Sequence, residues 1–173
     1  DFPPFPHTDK SFSPVCTVKN VSGAMEPYTS PAYYLTPPID DLKNNIIYIN
    51  QKNQPDSLSL YTTLAHEGYP GHLYQTVYSQ LYLNAQKASP LRSILHYGGY
   101  VEGWALYVEN LSYYYTQAIA ADQPLKAAWY EACRLNRNLQ LCMYSLLDIA
   151  IHYESAGPEQ VRRILQKAGI TSK

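Results

Sequence analysis

Eight of the chain's thirteen prolines fall before residue 39, and no other feature narrows the fold so far. A proline ring fixes its own φ, removes a backbone donor and pushes the preceding residue toward extended conformations. With Pro3, Pro4, Pro6, Pro14, Pro27, Pro31, Pro37 and Pro38 at these intervals, residues 1–38 cannot hold a long helix and read as a Pro-rich wrapped arm. Residues 39–173 are left to build the core.

Just after the arm, "NNIIYIN" at 44–50 sets β-branched and aromatic residues between asparagines, a short strand signal, and "AYYLT" at 32–36 is its expected neighbour. Beyond it the pattern turns helical. Asp56 or Ser57 caps a first helix in which Leu60 and Leu64 recur at helical spacing, and the stripes Leu73, Val77, Leu81 and Tyr74, Tyr78, Tyr82 carry it to about Gln86. A second helix starts at Ser89-Pro90 and runs to about Gln117, with Glu102, Leu106, Glu109 and Tyr113 along one face. A third runs from Asp122 and Pro124 to about Ser155, and a short last helix follows Gly157-Pro158 and closes at Gly169. The pattern predicts a mainly α fold with a small β element (α+β), its short strand or small sheet preceding the first helix.

A chain of 173 residues, 46% hydrophobic, is long enough for one domain with a proper core, expected over 1–173. The net charge of -1 and the scattered basic residues offer no stripe to neutralise a phosphate backbone, so no nucleic-acid partner is expected. Cys16, Cys133 and Cys142 show no C-x-x-C spacing, which argues against thiolate-held structural zinc. No apolar stretch reaches the roughly 20 residues needed for a transmembrane segment, and the amino end does not resemble a signal peptide. A start at Asp1 is what an excised piece of a longer chain would show, so the compartment stays open. The eighteen tyrosines suit either helix packing or the wall of a groove that contacts peptide or sugar.

Chemistry concentrates in "HEGYPGH", residues 66–72. In H-E-x-x-H two histidines four apart share a helix face and hold one Zn²⁺ beside a glutamate base. Here the second histidine comes two residues late: six residues turn a helix by about 600°, leaving His72 roughly 120° away from His66. Gly68, Pro70 and Gly71 are the residues most able to distort a helix, and a local bulge there would return His72 to the face of His66. The competing reading is a plain turn between two helices with incidental histidines, and the seven residues alone divide evenly between the two.

Zinc needs a third protein ligand and an open position. Glu102, in the apolar run "YVEGWALYVE" at 100–109, is a candidate, and Gly103 permits close approach beside it. Asp148 and His152, four apart in "LLDIAIH", also lie in apolar sequence. They suit a supporting pair around a ligand or an oxyanion donor, and equally a buried hydrogen bond between helices.

Together, "HEGYPGH", "EGWALYVE" and "DIAIH", with "YYLTPP" and "IIYIN" upstream, resemble the bacterial family catalogued as domain of unknown function 885, grouped with gluzincin-like metallopeptidases. The resemblance covers roughly residues 32 to 165. It implies a zincin-like helical core, His66, His72 and Glu102 as ligands of one zinc ion, and Glu67 as general base. Asp148 and Glu109 would support them from behind. Family members are usually much longer, so the resemblance also implies a catalytic-core fragment whose remaining segments are partners. The residues after His152, "YESAGPEQ", lack the glycine-tryptophan of many members.

The expected function is therefore a zinc-dependent peptidase or peptidase-like amide hydrolase acting on a peptide or other amide. His152 is first choice as oxyanion donor, with Tyr100 or Tyr113 second. Ile47, Tyr48 and Ile49 would form an exposed edge strand that binds an extended peptide by β-augmentation. The alternatives are a metal-free helical module that binds a peptide or partner, and a zinc-binding core that is inactive without its missing segments.

Overall fold

The computed structural model describes residues 2–6, 12–52 and 56–171, together with every residue singled out above as a site candidate. Asp1 and residues 7–11 of the arm lie outside the described residues. The chain clusters into two compact units, Asp1–Ile119 and Ala120–Lys173. The division falls just before Pro124, where a turn precedes the next helix.

The first unit opens on a three-stranded sheet of β1 (Val15–Asn20), β2 (Ala32–Leu35) and β3 (Asn44–Ile49), in the order β1-β3-β2. The proline-punctuated arm thus supplies two strands. β1 fits between Pro14 and Pro27 and pairs parallel with β3, while β2 pairs antiparallel, with Tyr33 opposite Tyr48 and their rings stacked at 5.2 Å. Because β3 is the middle strand, Ile47, Tyr48 and Ile49 have no free backbone edge, and the expected edge strand there is corrected. Both sides of β3 are used by its neighbours, and Ile47 is buried. Two buried asparagines tie the sheet to its loops: Asn45 Nδ2 donates to the Leu42 carbonyl at 3.2 Å, and Asn50 Nδ2 donates to the Glu26 carbonyl at 2.8 Å.

Four helices follow: α1 (Ser57–Glu67), α2 (His72–Ala85), the short α3 (Pro90–Ile94) and α4 (Gly98–Ile119). Asp56 caps α1 through Oδ1, which accepts from the Leu58 and Ser59 amides at 3.0 and 3.2 Å. The single second helix read from sequence is two, because Leu95 turns to extended backbone and Gly98-Gly99, poor helix formers, begin α4 afresh. Leu42, Leu73 and Val77 form a buried cluster flanked by Phe5, Phe12, Tyr34 and Leu81. Ala105 and Val108, buried on α4, belong to the core of the same unit, in which α1 packs on both α4 and β2.

The second unit comprises α5 (Pro124–Asp148), a π-helical turn (Ile149–Tyr153) that continues it, and α6 (Pro158–Lys167). These bounds match the third and last helices expected from the sequence. Among the described residues no helix is long and apolar enough to cross a membrane.

Candidate metal centre

His66 and His72 do meet, but a break rather than a bulge brings them together. α1 ends at Glu67, the Gly68 amide closes it by donating to the Leu64 carbonyl at 2.9 Å, and α2 starts at His72. The turn between them has a cis Tyr69–Pro70 peptide. It packs so tightly that a Cβ on Gly71 would run into the carbonyl oxygens of His66 and Ala65. From α4, Trp104 Nε1 donates to the Pro70 carbonyl at 3.0 Å and holds the turn in place. The two imidazole rings end 4.8 Å apart between centroids. A straight or bulged helix is therefore unnecessary: two helices meeting at a sharp corner converge their ends.

α4 brings a carboxylate to that corner. Glu102 Oε2 lies 3.6 Å from His66 Nε2 and 3.6 Å from His72 Nε2. Tetrahedral zinc with nitrogen and oxygen ligands at 2.0–2.1 Å separates its ligand atoms by about 3.3 Å, so these donors sit close to the spacing the ion requires. His66, Glu67 and His72 likewise offer ligand atoms within 4.8 Å of one another. Of the two carboxylates, Glu102 fits the ligand role better. It is equidistant from both ring nitrogens, whereas Glu67 Oε2 already accepts the Tyr34 amide at 2.9 Å. The Glu102 side chain is 64% exposed against 17% and 12% for the histidines, so the site is open to solvent on the α4 side.

Behind His66 stands Glu109, buried on the same helix and two turns along from Glu102. His66 Nδ1 donates to Glu109 Oε2 at 3.0 Å, which in the neutral ring leaves the Nε2 lone pair aimed toward Glu102. Burial pulls the His66 pKa down, but the Glu109 hydrogen bond and the charges of Glu67, Glu109 and Glu102 outweigh it and hold it above the ordinary value. His72 goes the other way: burial and then the neighbouring His66 charge lower it, against the pull of Glu102. Burial lifts Glu67 above the usual carboxylate range, opposed by the Tyr34 amide.

The structure thus gathers His66, Glu67, His72, Glu102 and Glu109. Tyr100 is exposed, and its carbonyl accepts from Gln75 Nε2 at 3.2 Å. Tyr113 is buried on α4. Asp148 and His152 belong to the second unit, where Asp148 Oδ1 lies 3.6 Å from His152 Nε2. Two contributors escape sequence reasoning: the Tyr34 backbone amide and the Trp104 indole. A main-chain N–H carries no sequence signature, although the tryptophan in "EGWA" was a visible cue.

The chain matches the family described as "Bacterial protein of unknown function (DUF885)" over residues 6–173. No curated protein matches it. Among solved structures it is similar to "The crystal structure of the putative lipoprotein from Colwellia psychrerythraea", with a TM-score of 0.65 and 26% identity over 92% of this chain. The match takes in 26% of that protein, so the chain spans about a quarter of its length.

Proposed function

We propose that this chain, which belongs to the DUF885 family of bacterial proteins, is the metal-binding core of a gluzincin-like, zinc-dependent peptidase or peptidase-like amide hydrolase. The observation that carries this reading is the equal 3.6 Å approach of Glu102 Oε2 to both histidine Nε2 atoms, with Glu67 alongside. His66, His72 and Glu102 would hold the ion. When bound, zinc supplies Lewis acidity to a water and to the scissile carbonyl.

The chain's own residues do the rest. Glu67 takes one proton from the water as its oxygen bonds to the carbonyl carbon, then passes that proton to the leaving nitrogen as the C–N bond breaks. The Tyr34 amide orients Glu67 through Oε2, and burial makes the carboxylate a stronger base than one in water. Glu109 keeps the His66 ring in the tautomer that leaves Nε2 free.

Metal analysis of protein purified without chelator tests the proposal, run beside His72→Ala. One zinc per chain in the unaltered protein and none in the variant is expected; absence of metal from both would overturn the reading. Exposed aromatic residues such as Tyr28, Tyr107, Tyr144 and Trp129 support a second reading, a metal-free helical module that binds a peptide or partner, and that outcome would favour it. Because the chain spans about a quarter of its solved relative, zinc binding without hydrolysis would mean that cleavage needs a longer protein.

A further inference from the structure

The helix face that carries His72 does not end at the metal centre. Gln75 follows His72 by three residues, which keeps both on one face of α2, and Gln75 lines a cleft of about 630 Å³. Tyr100, two residues before Glu102, and Thr36, two residues after Tyr34, also line it. The cleft is therefore walled by the same segments that present His72, Glu102 and the amide on Glu67.

Its charge has one sign. Arg92 and His96 contribute cationic or potentially cationic groups to the wall, and no Asp or Glu is among the described lining residues. The Arg92 guanidinium lies over the Tyr97 ring, 4.2 Å from its centroid, a contact that restrains the planar fork suited to a carboxylate. Gln75 is 6% exposed; its Nε2 holds the Tyr100 carbonyl, while its Oε1 has no partner among the described residues.

We infer that this cleft is a specificity subsite for a carboxylate-bearing peptide, with Arg92 pairing the carboxylate in the cleft whose wall Gln75 and Tyr100 share. The inference rests on the proposed peptidase reading and names its substrate class. The carboxylate belongs either to an acidic side chain or to a free C-terminus, chemistries that one set of peptides separates.

Fluorescence anisotropy with labelled peptides tests this on metal-free and zinc-loaded protein. The four probes are an amidated peptide containing Glu, its amidated Gln isostere, the amidated Lys analogue, and the Gln peptide with a free C-terminus. The Glu peptide or the free-acid peptide should bind about tenfold more tightly than the amidated Gln peptide, a typical gain for a charge-assisted hydrogen bond. Which of the two does so identifies the source of the carboxylate. In Arg92→Gln that ratio should fall to about one, and Arg92→Glu should reverse it in favour of a Lys peptide, with thermal melts checking the fold of both variants. Equal affinities in the unaltered protein, no binding of any probe, or a preference that persists in folded Arg92→Gln would overturn the inference, as would one that vanishes only when metal is removed. A preference that depends on Arg92 in a chain that takes up no zinc would sink the peptidase reading and leave the carboxylate site standing.

Discussion

Glu109 shows how one residue's burial shapes the centre. Being only 6% exposed, it has little access to water, and His66 Nδ1 supplies the charge-assisted hydrogen bond that makes its burial tolerable. Glu109→Gln keeps the shape but weakens that bond, and zinc affinity should fall about 10- to 100-fold in a competition assay with a chromogenic chelator. Glu67→Gln should behave oppositely, retaining zinc while hydrolysis drops about 10²- to 10⁴-fold. The raised Glu67 pKa also has a sign in stability. A carboxylate whose folded pKa exceeds its unfolded value binds more protons when folded, so in metal-free protein its contribution falls as pH rises from the ordinary carboxylate value through the raised one. Glu67→Gln should therefore raise the Tm of metal-free protein at neutral pH and give no gain in acid below the ordinary carboxylate pKa. At this scale the sequence was most legible where the groups gathered at the site are side chains. His66, Glu67, His72 and Glu102 were visible as residue types at suggestive spacings, whereas the Tyr34 amide that orients Glu67 was not, because every non-proline residue has one.

At the level of elements, the corner between α1 and α2 decides the centre. Its turn is held from inside by Gly71, where a side chain would strike the backbone of α1, and from outside by the Trp104 indole. Gly71→Ala should cost at least about 2 kcal/mol of stability in chemical denaturation and abolish zinc uptake, since the clashing atoms are backbone and cannot move without opening the corner. Trp104→Phe preserves the aromatic packing on Tyr74 but deletes the donor to Pro70, so a loss of about 1 kcal/mol with weakened zinc binding is expected. The six-residue spacing of the histidines is thus a consequence of joining two helices, and the expected bulge misjudged the means while placing the rings correctly. On α4 the seven-residue interval between Glu102 and Glu109 sets both on one face. There they address the two nitrogens of a single ring. That face was readable from periodicity; its partner was not.

Across the whole molecule, burial is uneven. The first unit has a packed cluster around Leu73 and Val77, whereas Ala120 and Ala150 are the buried residues described in the second. Amide hydrogen exchange should accordingly be slower in α2 and α4 than in α5 and α6. Zinc at about 100 times its Kd should add about 2.7 kcal/mol to the stability of the unit that holds His66, His72 and Glu102, an increase that calorimetry should find absent in His72→Ala. By itself the sequence determined what local rules govern: the helix starts at Asp56 and Pro124, the strand pairing of 32–36 with 44–50, and the mainly α character. Tertiary structure alone decided that β1 would join the sheet and make β3 its centre, and that α4 would deliver Glu102 between two rings. Periodicity and propensity report which face of an element is apolar. Which surface finally covers that face depends on contacts between residues far apart in the chain, and these become definite only when the elements pack.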